Sequence, residues 1–203
     1  MNGLELSEKA FRAIEGQTAR PVAKRLVGIR MKLQEHAIRA SGDGTLDALV
    51  NNAGVYIGGP LELMKAEQIR QTMAVNVTGL LLLTQACLPL LRAAGKASLV
   101  FTTDAVADSP KAYWGAYAAA KAGLESLMKV LSMELENSDI RVNAVDPGAT
   151  STRFRKSIYP GEDVSTVKQP DTLVPLYTAL MNPDSGIRNG KVVHFGEEWD
   201  IGL

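Results

Sequence analysis

In the stretch "AYWGAYAAAKAG", residues 112–123, a phenol and an ammonium stand four residues apart, Tyr117 and Lys121. The alanines around them predict a helix, and positions i and i+4 of a helix share a face. Placed so, the Lys121 charge lies near the Tyr117 hydroxyl and favours its ionised form. A phenol with a pKa of about 10 is a poor proton donor or acceptor at neutral pH, and lowering that value makes general acid–base work feasible. The plain alternative is a helix with one amphipathic Tyr and one Lys whose stem lies along the surface. The rest of the sequence has to separate the two.

Other chemistry-bearing groups fall at the ends of apolar runs: "NNAG" at 51–54, "TTDA" at 102–105 and "DPGATST" at 146–152. Gly54 and Gly148 let the backbone approach a ligand closely, because no Cβ stands in the way. Asn76 falls in the middle of a helical pattern, where an Asn is poorly suited unless its amide bonds a backbone carbonyl or a water.

These groups need elements to carry them. "LDALVN", residues 46–51, reads as a buried strand that exits into a turn. Residues 66–93 carry a long helical pattern, with Ile69, Met73, Val77, Leu80, Leu81 and Thr84 at helical spacing. A second strand is predicted at 97–103, a helix at 113–136 and a third strand at 140–148, stopped by Pro147 and Gly148. A short helix near 171–181 and a last strand at 190–195 complete the pattern. Strands alternating with helices predict an α/β fold, a Rossmann-like parallel sheet with helices on both faces. In such a sheet ligands sit at the carboxyl ends of the strands, where all three groups fall. Residues 1–45 form an atypical, basic and mostly helical N-terminal segment. Residues 46–203 form the core, and the whole is one domain.

The chain has 203 residues, 46% of them hydrophobic and 22% charged, enough for one globular core. Twenty-two basic and 22 acidic side chains give zero net charge, so no electrostatic hold on nucleic acid or membrane is expected. Cys87 is the single cysteine, which excludes an internal disulfide and fits a reducing compartment. It lies in "LLLLTQACLPLL", a run read as core, too short and too polar-flanked to span a bilayer. The charged N-terminus is unlike a signal peptide, and a cytoplasmic protein is expected.

"LDALVNNAG", "VNVTG", "YAAAKAG" and "IRVNAVDPGATST", in this order and at these separations, resemble the short-chain dehydrogenase/reductase family over residues 45–196. "WGAYAAAK" and "PLYTALM" resemble a bacterial oxidoreductase branch of it. The resemblance implies a nicotinamide cofactor, NAD or NADP, and hydride transfer to or from a small carbonyl or alcohol substrate. It makes Tyr117 the acid/base, Lys121 the ribose-holding lysine that depresses the tyrosine pKa, and Asn76 the residue that orders a relay water. It makes Asn52, Ala53 and Gly54 the cofactor-side strand end. Pro147, Gly148, Thr150 and Thr152 become the loop at the nicotinamide. It further implies a homodimer or homotetramer assembled through the long helices.

Two departures from the family pattern stand out. The position thirteen residues before Tyr117, a serine in the family, is Asp104. An ionised carboxylate accepts hydrogen bonds but donates none, and it repels a phenolate beside it. Either Thr102 or Thr103 supplies the missing hydroxyl, or a protonated Asp104 donates, or Asp104 caps a turn. The second departure is that no glycine-rich strand-to-helix turn for a pyrophosphate appears upstream, nor a residue choosing between NAD and NADP. The central strand of the sheet itself reads as missing. A non-catalytic, cofactor-poor family remnant acting as a binding or assembly partner is therefore the rival expectation. Residues 152–170 occupy the place of the family's substrate lid. Arg153, Arg155 and Lys156 there suit either an anionic ligand or, more simply, a solvated basic turn.

Overall fold

Four short runs of apolar residues form the sheet in the computed structural model of the chain, which describes residues 44–197. They are β1 (Ala48–Asn51), β2 (Ala97–Thr102), β3 (Ile140–Asp146) and β4 (Val192–His194). All are parallel and bonded in the order β1-β2-β3-β4. Val50 lies beside Val100, Val100 beside Asn143, and Val145 beside Val193. This is the expected parallel α/β sheet. The expected helical segment at 1–45 and the missing earlier strand fall, but for residues 44 and 45, outside the described residues.

Side chains alternate across a strand, so each face of the sheet has its own core. On one face Leu80 and Leu91, with Leu124, Met128 and Leu131, pack on Leu99, Phe101, Val142 and Ala144. The first pair comes from α2 (Leu80–Ala93) and the other three from α3 (Gly115–Glu134). Both long helices thus lie on one face. On the other face Leu176 and Leu180 of α5 (Val174–Met181) join Ile187 against Val100, Val145 and Val193. A 3₁₀ turn at Pro170–Leu173 leads into α5, so the predicted helix near 171–181 is two pieces.

The helix that crosses from solvent into this core is continuous from Ala66 to Ala93, 28 residues. It begins as α1 (Ala66–Met73), winds as a π-helix over Ala74–Gly79 and continues as α2. By length and composition it is sufficient to cross a bilayer. The apolar run at 80–91, read as core, is part of this longer helix. What the apolar side chains meet is the protein itself: Leu83, Ala86, Cys87 and Leu90 are buried together beside Leu46 and Leu49. Cys87 is core filler, as expected, and burial pushes its thiol up to about 11.

One hydrogen bond ties this packing to the strand ends. Asn51, the last residue of β1 and 1% exposed, donates through Nδ2 to the Thr84 hydroxyl of α2 at 2.9 Å.

Phe101 is 1% exposed at the centre of the larger core. Phe101→Ala is expected to lower unfolding free energy by roughly 3–5 kcal/mol. Met133→Ala, on an exposed helix face, should stay within about 0.5 kcal/mol. Urea midpoints of the two variants against wild type check the contrast.

Candidate active site

The three strand ends named by the sequence lie side by side, because β1, β2 and β3 are adjacent and parallel. Above β1 the chain turns through Asn52–Val55. The Val55 backbone is gripped by Asn76, whose Oδ1 accepts from the Val55 N–H at 2.8 Å while its Nδ2 donates to the Val55 carbonyl at 2.8 Å. Asn76 is fully buried and sits in the π-helical turn. π-turns inside helices recur at functional sites, since the extra residue per turn re-aims a side chain. Of the two tasks open to its amide, Asn76 performs the backbone one.

Gly54 lies in the gripped loop. A Cβ on it would stand 3.1 Å from Asn76 Oδ1, tighter than an ordinary contact, and 3.9 Å from Lys121 Nζ, so glycine lets the loop approach the helices this closely. Asn52 is exposed, and Ala53 is half-buried against the main core.

Above β2, Lys121 reaches from α3 to donate to the Thr102 carbonyl at 2.8 Å, and it is only 3% exposed. Burial pulls its ammonium down to about 8, against the attraction of Asp104, Asp146 and Glu125. One turn further along α3, Glu125 is also buried and accepts from the Thr103 hydroxyl at 2.6 Å. Composition and spacing gave no sign of this Thr103–Glu125 pair. Its only trace in the sequence is an acid four residues after Lys121.

Tyr117 is 3% exposed, and its hydroxyl donates to Asp104 Oδ2 at 3.3 Å. Asp104 Oδ1 accepts from the Val106 N–H at 3.0 Å, capping the 3₁₀ turn Ala105–Ala107. The carboxylate therefore caps a turn and faces the phenol at once. The Tyr117 phenol is pushed well above its ordinary value, first by burial, then by the Asp104 charge and hydrogen bond, then by Asp146. This corrects the expectation that Lys121 lowers it. The ammonium lies 5.5 Å from the centre of the Tyr117 ring and is bonded to Thr102, and desolvation acts against ionising either group. The two hydroxyls read as substitutes have partners of their own: Thr103 serves Glu125, and Thr102 shares a 2.9 Å bond with the Tyr177 hydroxyl.

Above β3, Asp146 Oδ1 accepts from the Gly148 N–H at 2.9 Å and Oδ2 pairs with His194 Nδ1 at 3.2 Å. Gly148 has φ +62, the left-handed region where a side chain is strained. Thr150 is buried and donates to the Gly148 carbonyl at 3.1 Å, which with Pro147 shapes the turn. Thr152 is exposed, and its hydroxyl accepts from the Arg155 N–H at 3.1 Å as the cap of α4 (Arg153–Ile158).

The segment after α4 is not a solvated basic turn throughout. Arg153 and Lys156 are exposed, but Arg155 forks onto Glu162 through Nε at 2.8 Å and Nη2 at 2.6 Å and lies 4.1 Å over the Tyr159 ring. Aromatic rings gather on this side of Tyr117: Tyr56 at 5.6 Å, Trp114 at 5.7 Å and Phe154 at 6.2 Å between centroids. The cavity of about 630 Å³ at the opposite, amino ends of β2 and β3 touches none of these residues; Lys96, Arg141 and Asp184 line it.

Residues 30–163 match the sequence profile of the short chain dehydrogenase family. The chain belongs to that family. The Escherichia coli K12 oxidoreductase YciK is 41% identical over 147 residues, 71% of this chain and 58% of YciK. The 2,3-dihydro-2,3-dihydroxybenzoate dehydrogenase of the same strain is 36% identical over 118 residues, 58% of this chain and 48% of that protein. The chain thus spans about half the length of these curated relatives. Among solved structures, a short chain dehydrogenase from Salmonella enterica serovar Typhi superposes with TM-score 0.78 at 36% identity, covering 83% of this chain and 70% of that one. One from E. coli CFT073, complexed with NADPH, gives TM-score 0.77 at 36% identity over 83% of this chain and 70% of that one.

The depressed value of Lys121 carries a pH signature. Between about 8 and its ordinary 10.5 the unfolded chain holds a proton that the folded chain has released, so this group's contribution to stability rises with pH. Tyr117, raised above its ordinary value, acts oppositely at the alkaline end. The difference in unfolding free energy between wild type and Lys121→Met should therefore move in favour of wild type from pH 8 towards 10.5. Urea titrations of both proteins across that range measure it, and a flat difference would contradict the buried, destabilised ammonium.

Proposed function

We propose that the chain is an NAD(P)-dependent oxidoreductase that transfers a hydride between a nicotinamide and a small carbonyl or alcohol. The observation that carries this reading is the convergence of the Tyr117 hydroxyl, the Lys121 ammonium and Gly54 on adjacent strand ends. The names of YciK and of the NADPH-complexed relative support it.

The residues present suit the nicotinamide half of such a cofactor. Lys121 spends one of its three protons on Thr102, leaving two for ribose hydroxyls. Gly54 leaves the space that a Cβ would fill, and Asn52 and Ala53 continue that edge. Pro147, Gly148 and Thr150 would border the nicotinamide ring, in a turn held by Asp146 and the Thr150 hydroxyl. A bound nicotinamide supplies or takes the hydride. Tyr117 supplies the proton: held neutral by burial and Asp104, it is ready to donate to a developing alkoxide. Asn76 acts through Val55, keeping the Gly54 edge in place. Asp104 orients the Tyr117 hydroxyl.

The same reading includes a cytoplasmic protein with no nucleic-acid or membrane partner, which zero net charge supports. It also includes a homodimer or homotetramer through the long helices, where Ile69, Val130 and Met133 are exposed.

Two outcomes test it. Saturable binding of NADH or NADPH is expected in a fluorescence or calorimetric titration, weakened by Lys121→Ala; no binding up to millimolar cofactor would decide for a non-catalytic family remnant. On a confirmed substrate, Tyr117→Phe should lower turnover roughly 10²–10⁴-fold while folding stays nearly unchanged. Full activity in that variant would remove Tyr117 from the reaction.

A further inference from the structure

Asp104 changes what the cleft can recognise. A hydroxyl at this position offers a proton to a substrate oxygen, whereas a carboxylate offers only lone pairs. One Asp104 oxygen is committed to the Val106 N–H at 3.0 Å. The other accepts from Tyr117 at 3.3 Å, long against the roughly 2.7–2.8 Å usual for such a bond, so this partner is readily exchanged. The acidic groups acting on the phenol oxygen are Asp104 and Asp146. Lys121 and Arg155 act on Asp104 through charge alone, their hydrogen bonds going to the Thr102 carbonyl and to Glu162, and Lys168 bonds the Ala149 carbonyl. Around the Tyr117 ring stand Tyr56, Trp114 and Phe154, whose ring faces favour both apolar bodies and cations.

We propose that the cleft selects carbonyl or alcohol substrates that carry a protonated amine next to the reacting carbon, the amine held by Asp104 and the apolar body by Tyr56, Trp114 and Phe154. The proposal rests on the oxidoreductase reading above. The substrate oxygen takes over the Tyr117 hydroxyl, which frees Asp104 Oδ2 for the ammonium. Asp104 gains a charge-assisted hydrogen bond and exchanges no proton. A neutral substrate in the same place leaves a carboxylate oxygen facing an apolar body, a desolvated acceptor without a donor.

The test has a binding arm and a turnover arm. In the first, 1-aminoindane and neutral 1-indanol are titrated calorimetrically into the full chain without cofactor, for wild type, Asp104→Asn and Asp104→Ser. Both replacements are good N-cap residues, so the turn at Ala105–Ala107 and the fold are retained, as circular dichroism would confirm. Wild type should bind the amine at least about tenfold more tightly, the scale of one charge-assisted bond, and both variants should lose the preference. Equal affinities in wild type, or a preference that survives Asp104→Asn, would overturn the proposal. In the second arm, kcat/KM for oxidation with NAD⁺ and NADP⁺ is compared between 1-amino-2-indanol, 1,2-indanediol and 2-indanol. A preference for the amine that disappears in Asp104→Asn supports the proposal. Turnover without that preference, or a preference for the diol, overturns the substrate class and leaves the oxidoreductase reading standing. Amine-selective binding with turnover of none counts against the oxidoreductase reading and leaves the selectivity of the cleft intact.

Discussion

Two hydrogen bonds from one buried amide hold the candidate site together. Asn76 offers an acceptor and a donor in the same plane, and Val55 presents an N–H and a C=O to match. The Asn76 amide is fully buried, where an unpaired donor or acceptor costs about 1–3 kcal/mol, so its two bonds hold the half-buried Val55 backbone. Through them the loop after β1 is fixed to the long helix, and Gly54 is fixed in front of Lys121. Lys121 in turn is moored to the carbonyl at the end of β2. The ends of two strands and two helices on one side of the sheet are thereby set in a single geometry. The π-helical turn is what lets a side chain from the middle of a helix reach the loop at all.

Around that frame the electrostatics run against charge. Lys121 is pulled towards neutrality and Tyr117 is held protonated, chiefly because both are shut away from water. Acidic neighbours offset part of the effect on the lysine and reinforce it on the tyrosine. A pair that looks like ammonium and phenolate on a helical wheel is, in its own surroundings, an ammonium close to losing its proton and a phenol reluctant to lose one. A positively charged ligand entering between them would push both groups towards loss of a proton, Lys121 to the amine and Tyr117 to the phenolate.

The strands and long helices were legible in the sequence because period-2 and period-3.6 burial is written directly into residue types. Val50, Val100 and Val145 mark the sheet's one face as plainly as Leu124, Met128 and Leu131 mark α3. The grouping of Asn76, Tyr117 and Lys121 on neighbouring elements was legible too, since they stand at strand ends or on the helices after them. The contacts were not. Spacing of four puts Lys121 and Tyr117 on one face but does not say that the lysine's partner is the carbonyl of residue 102. The π-helical turn leaves no mark in an apolar period read over 28 residues. Asp104 has two oxygens and uses each differently, so readings posed as alternatives turned out to be compatible. Thr152 and Arg155, read as ligand-side or solvated, are spent on the local structure of their own segment.

Cys87 gives the chain a property unrelated to its chemistry at the cleft. It is the sole thiol in 203 residues, it is 2% exposed under the long helix, and burial raises it to about 11. A folded molecule is thus blind to thiol reagents, and an opened one is reactive at a single defined atom on the inner side of α2. The sequence carries its own built-in clock for the lifting of that helix from the sheet, with no engineered label and no second cysteine to confuse the count.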